Sequence, residues 1–114
     1  MSYYIPQCSV VHKHKLEIYQ NVPPSPHVKL ALPADAEILL FDMQLNDFYI
    51  WERHNVTFPK APMEFEFYLT GTGNPIPDHL LVLGHIGSFQ SAGFVWHLFR
   101  VSDQIGNIAG VDNV

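Results

Sequence analysis

Two histidines near the N-terminus have the spacing of a metal site. His12 and His14 are two residues apart, so on a β-strand both imidazoles project to the same face. Zinc and similar metals need at least a third protein ligand, and the sequence offers His27 or Glu17 for that place. The alternative is a polar strand whose imidazoles are solvated or paired with carboxylates. On this pattern we assign no metal site and expect no cofactor.

A third histidine, His97, lies among large apolar residues. Val95 and Phe99 share its face if the segment is a strand. His97 is therefore either a structural histidine bonded to backbone or a hydroxyl, or a residue that contacts a ligand. Catalysis would need a nucleophile and an orienting carboxylate. Ser88 and Asp78 are available, but no nucleophile elbow surrounds the serine, so we expect no enzymatic activity.

A glycine-containing loop could bind an anion. This glycine loop consists of Gly71, Thr72, Gly73 and Asn74 and is followed by a proline. Glycines permit positive φ and expose backbone N–H groups, which can hold a phosphate. The loop lacks the lysine and the spacing of a P-loop. A bend at the end of a strand, without a ligand, is the competing interpretation.

Other residues could contribute to ligand binding or mimic a catalytic pair. Trp51 could stack on a base, and Arg100 is one of the few cations able to pair with a phosphate. Glu64 and Glu66 resemble the paired acids of a glycosidase, but they alternate with phenylalanines. That alternation is typical of the solvated face of a strand, so we interpret them as surface residues.

The elements that must position these residues are strands. Apolar and polar residues alternate along most of the chain, and no helix of ten residues is indicated. The predicted strands are His12–Gln20, His27–Leu32, Glu37–Leu45, Phe48–Glu52, Met63–Thr70, Leu80–Gln90 and Phe94–Val101. Seven antiparallel strands with short connections predict an all-β fold, a compact single-domain sandwich or small barrel.

The strand pattern also predicts the order and limits of the domain. The strand Glu37–Leu45, which contains the apolar run Ile38 to Phe41, is expected to be central and buried on both faces. A tight turn at Asn46–Asp47 is expected to follow it. One β domain is expected over residues 1–101, with an N-terminal strand extension, and residues 102–114 are expected to form a flexible or swapped tail.

Composition limits the class of protein. The 114 residues include 15% charged and 13% aromatic residues, and the formal net charge is −5. That balance argues against a basic nucleic-acid surface or a polybasic membrane patch. No apolar run is longer than the four residues of Ile38 to Phe41, which is too short to cross a membrane. Cys8 is the single cysteine, which excludes an internal disulfide. We expect a soluble domain whose low charge leaves some aromatics at an interface.

Several short motifs, taken in order, resemble a family of uncharacterised bacteriophage and prophage proteins. The motifs span residues 13–101: Lys13–Ile18, Val28–Leu39, Gly71–Ile76, Ile86–Gln90 and Phe94–Phe99. Asp35 departs from the family pattern, which has glycine there. The resemblance implies a compact β fold and a phage origin, and it supplies no activity.

Together these observations predict a phage-encoded, non-enzymatic binding protein in the host cytoplasm. By analogy with other small phage proteins, we expect it to form a homo-oligomer and to sequester a nucleotide-like host signal, as a counter-defence factor. The predicted ligand-binding residues are Gly71, Thr72, Gly73, Asn74, Trp51, Gln90, His97 and Arg100. The alternatives are an inhibitor that binds a host defence or metabolic enzyme, and a minor virion or assembly protein. A pocket beside the glycine loop would favour the small ligand.

Overall fold

The chain folds into two antiparallel β-sheets. A computed structural model describes residues 6–18 and 26–103. The strands are β1 (Ser9–Lys15), β2 (His27–Pro33), β3 (Glu37–Gln44), β4 (Asp47–Asn55), β5 (Pro62–Gly71), β6 (Leu80–Ser91) and β7 (Phe94–Asp103). One sheet has the order β1-β4-β3 and the other the order β2-β5-β7-β6. The predicted all-β sandwich is confirmed, and the small barrel is wrong because the two sheets do not close.

Alternation along the strands builds the core between the sheets. In β5, Phe65, Phe67 and Leu69 are buried, while Glu64 and Glu66 lie on the outer face. Every second side chain of a strand points to the same face, so this segment places three large apolar groups inward. Across the sandwich, the ring of Phe48 in β4 lies 5.9 Å from that of Trp96 in β7. The core therefore joins the middle strands of both sheets.

The strand predicted to be central is at an edge. β3 pairs only with β4 within the described residues, and β4 is the middle strand of the three-stranded sheet. Leu39 and Leu40 are 46% and 49% exposed, so β3 is not buried on both faces. The error has a physical cause: an apolar run predicts burial, but an edge strand of a sandwich can also carry exposed leucines. A register shift between Ile38 and Leu40 adds to their exposure by disturbing the regular alternation.

Turns and termini differ slightly from the prediction. The hairpin turn between β3 and β4 is Leu45–Asn46, both with positive φ, rather than Asn46–Asp47. β7 includes Ser102 and Asp103, two residues that we assigned to the tail. The first strand begins at Ser9 and ends at Lys15 instead of spanning His12–Gln20. The remainder of the predicted tail and the last two residues of the predicted first strand lie outside the described residues. The part of the chain described here contains no helix able to span a membrane.

Candidate functional site

Pairing of β1 with β4 gathers three histidines around one glutamate. In the register of this pair, His12 lies opposite Glu52 and Val10 lies opposite His54. His14 shares the face of His12, two residues further along β1. The same face of β4 carries Phe48 and Ile50 in the core, so Glu52 projects inward. We call His12, His14, Glu52 and His54 the His–Glu cluster.

Glu52 is the buried centre of the His–Glu cluster. Its side chain is 0% exposed, and a buried carboxylate must be compensated by hydrogen bonds or opposite charge. The Nε2 atom of His14 lies 3.1 Å from Oε1 of Glu52. The Nδ1 atom of His54 lies 2.9 Å from each carboxylate oxygen. Because an ionised carboxylate only accepts, the N–H groups of both imidazoles donate to it.

His12 has a different environment from the other two histidines. It is exposed, and its ring centroid lies 5.0 Å from that of His54 and 6.3 Å from that of His14. One possible ligand atom from each of His12, His14 and Glu52 falls within 4.8 Å of the other two. Neither His27 nor Glu17, the two residues that the sequence offers as a third ligand, belongs to this group. His27 instead bonds Glu66, 3.0 Å away, in the other sheet.

A second polar group lies on the outer face of the four-stranded sheet. Thr72 Oγ1 is 2.7 Å from Nε2 of His97, and Ser88 Oγ is 2.7 Å from Nδ1 of the same ring. Nε2 of His85 lies 2.9 Å from the Ser88 hydroxyl. We call these four residues the Thr–His–Ser–His row. It joins the glycine loop to β6, because Ser88 and His97 are opposite each other in the pairing of β6 with β7.

The glycine loop is a tight turn that leads out of β5. The N–H of Asn74 donates to the carbonyl of Gly71, and the N–H of Thr72 donates to that of Val95. Gly73 has φ 89°, a conformation that strongly favours glycine. Gly71 is buried, whereas Thr72, Gly73 and Asn74 are exposed. No pocket is formed by the residues that the structure describes.

Of the predicted ligand-binding residues, the structure gathers some and separates others. Thr72 contacts His97 directly, and Gln90 lies on the same outer face as Ser88, two residues along β6. Trp51 is in the other sheet, on the face of β4 opposite Glu52, where its ring lies 6.2 Å from that of Tyr49. Arg100 points to the opposite face of β7 from His97 and covers the ring of Phe65 at 4.4 Å. Neither joins the glycine loop.

The sequence interpretation missed Glu52, His54 and His85 as members of these groups. A signal for Glu52 exists in the sequence. In the run from Phe48 to His54, every second residue faces the core, and this register places a carboxylate and an imidazole at inward positions. An inward carboxylate is uncommon unless it is paired. His85 had no comparable signal, because register shifts interrupt the alternation in β6.

The edges of the sandwich differ in charge. Within the described residues, β1, β2, β3 and β6 each pair on one side only. Three of these edges carry charged residues or proline: Lys13 and Lys15 in β1, Lys29 and Pro33 in β2, Glu37 and Asp42 in β3. The twelve residues of β6 include no lysine, arginine, acid or proline. Charge and proline on an edge prevent pairing with other chains, so β6 is the least protected edge.

Comparison with known proteins identifies a family of unknown function. A family described as "Domain of unknown function (DUF7352)" matches residues 8–108. No curated protein and no solved structure matches the chain.

Proposed function

This chain belongs to the DUF7352 family, and we propose that it is a non-enzymatic binding domain whose partner is another protein. The observation that carries the proposal is the uncharged β6 edge. Leu81, Val82 and Leu83 are each exposed, the last to 53%. Exposed apolar side chains beside unprotected backbone donors and acceptors are typical of an edge that receives a further strand.

The geometry of β6 limits where a partner strand can pair. Register shifts occur between Val82 and Gly84 and between His85 and Gly87, and such irregularities interrupt a ladder. The segment Gly87–Ser91 follows without a further shift. On the outer face this segment presents Ser88 and Gln90, which can donate and accept hydrogen bonds. We propose that an extended segment of the partner pairs with Gly87–Ser91.

The biological role belongs to the same proposal. The resemblance of the sequence motifs to those of short bacteriophage and prophage proteins supports a phage origin. A small binding domain of that origin would act in the host cytoplasm by blocking a host defence or metabolic enzyme. A second copy of this chain could also pair with β6, which would give the homo-oligomer expected from the composition. A minor virion or assembly protein would use the same edge between virion subunits.

A charge introduced on the edge tests this proposal. We expect Gln90→Lys to weaken binding of extended peptides, selected from a random display library on the wild-type protein, by at least about tenfold, because a lysine on an edge strand opposes pairing with a further strand. Ala31→Lys is the matched control: it adds the same charge on the outer face of β2, the other edge of this sheet. It should change the affinity less than about twofold.

Hydrogen exchange locates the bound peptide. We expect amide protection confined to β6, and greatest within Gly87–Ser91. Protection at β1, β2 or β3, or equal weakening by Gln90→Lys and Ala31→Lys, would contradict the proposal. Sedimentation of the free protein at increasing concentration separates self-association from binding of a different partner. If a second copy of the chain pairs with β6, the wild-type protein forms an oligomer and Gln90→Lys shifts it toward the monomer.

A nucleotide-like small ligand is a second candidate, favoured by the contact between Thr72 and His97. The two imidazoles and the two hydroxyl groups of the Thr–His–Ser–His row could bind a phosphate. If so, cyclic dinucleotides or ADP-ribose should shift the amide resonances of Thr72, Gly73 and Ser88. His97→Ala should abolish these shifts, and His79→Ala, which changes an exposed turn residue, should retain them. Unchanged spectra of the folded protein would exclude the candidate.

A further inference from the structure

The His–Glu cluster has the composition of a metal centre. Two imidazoles and a carboxylate are ligands that zinc and neighbouring divalent metals accept, and the remaining coordination positions are then filled by water or by another group. We propose that His12, His14 and Glu52 bind one zinc ion. The site is in the three-stranded sheet, so this inference does not depend on the partner proposed for β6.

The separations of the ligand atoms suit zinc. Two ligands of a tetrahedral zinc ion, each about 2.0–2.1 Å from the metal, lie about 3.3 Å apart. Nε2 of His14 and Oε1 of Glu52 are 3.1 Å apart, so a small displacement admits the ion. In this arrangement zinc lies between the two atoms in place of the hydrogen bond. A neutral imidazole has one N–H and one lone pair, so the tautomer of His14 that carries its proton on Nδ1 presents Nε2 to the metal.

The surroundings of Glu52 give each histidine a different role. His54 donates to both carboxylate oxygens at 2.9 Å and thereby holds the carboxylate in place, which makes it a positioning residue. The His12 side chain makes ring contacts and forms no hydrogen bond within the described part of the chain. Its nitrogens are consequently available to a metal. His12 is also exposed, which gives an ion access from solvent.

A purely structural role for the His–Glu cluster is the competing explanation. His14 and His54 already satisfy the buried carboxylate, and this would account for both residues without a metal. This explanation does not account for His12, because the His12 side chain donates no hydrogen bond to the carboxylate of Glu52. His12 is thus the residue that separates the two explanations, and its removal leaves the hydrogen bonds of Glu52 intact.

Titration calorimetry of the chelator-treated protein with zinc chloride tests the site. We expect one zinc ion per chain, and weakening by about tenfold or more in His12→Ala. Cobalt(II) in place of zinc should give the strong visible absorption of a tetrahedral ion. This band should disappear in His12→Ala.

The control replaces a histidine of the other group. His85→Ala alters the Thr–His–Ser–His row, which also contains paired imidazoles, and it should leave zinc affinity unchanged. Three outcomes would overturn the proposal: no binding at one ion per chain in the wild-type protein, equal affinity in the wild-type protein and His12→Ala, or a loss that follows His85→Ala instead. Hydrogen exchange of His12→Ala verifies that the fold is retained.

Discussion

Replacement of Phe67 by alanine is expected to lower the free energy of unfolding by about 3–5 kcal/mol. Phe67 is 0% exposed and lies in β5 between Val28 of β2 and Arg100 of β7. Deleting its ring removes apolar contacts and leaves a cavity, which a β-sheet held on both sides cannot close by moving one strand. A typical domain is stable by only about 5–15 kcal/mol, so a large part of the stability should be lost.

Phe58 provides the matched control for this substitution. Its side chain is 50% exposed, so Phe58→Ala removes the same ring without leaving a buried cavity and should change stability by less than about 0.5 kcal/mol. Urea unfolding followed by tryptophan fluorescence measures both variants. Similar midpoints for Phe67→Ala and Phe58→Ala would contradict the assignment of Phe67 to the core.

Replacement of His54 by alanine is expected to destabilise the protein by about 2–3 kcal/mol. His54 supplies hydrogen bonds to both oxygens of Glu52, and without it the buried carboxylate keeps His14 as its hydrogen-bond partner among the described residues. A buried anion that loses a donor carries most of its desolvation penalty uncompensated. Urea unfolding in the presence of a chelator measures the effect without interference from metals.

A double-mutant cycle shows whether this loss arises from the carboxylate. Glu52→Leu removes the buried charge and keeps a side chain of similar volume. His54→Ala should therefore destabilise the Glu52→Leu background much less than the wild-type background. An equal effect in both backgrounds would mean that His54 acts through its packing alone. His79→Ala, in an exposed turn, should have no measurable effect in either background.

Much of the fold could be predicted from alternation. The register Phe65, Phe67, Leu69 specifies one buried face wherever the strand is placed, since the side-chain period of a strand is two residues. All seven strands were predicted for this reason. The position of β3 was not, because the apolar run from Ile38 to Phe41 is compatible with either a central or an edge strand.

The candidate sites were likewise predicted only in part from the sequence. Thr72 and His97 were both predicted as site residues, and they contact each other in the structure. Trp51 and Arg100 were grouped with them by residue type alone. The structure places Trp51 in the other sheet and Arg100 on the opposite face of β7 from His97. Residue type could not predict these positions, because it carries no information about which face of a sheet a residue lies on.

By itself, the sequence determined the all-β class, the approximate positions of the strands and the shared face of His12 and His14, because each depends on residues close together in the chain. Whether the sheets form a sandwich or a small barrel was decided by the tertiary structure. Only the tertiary structure decided that Glu52, rather than His27 or Glu17, meets these histidines. That choice depends on which strands pair and in what register. Pairing between distant segments is set by the packing of the whole core, so local pattern cannot specify it. The uncharged composition of β6 was likewise readable in the sequence, but its place at an edge was not.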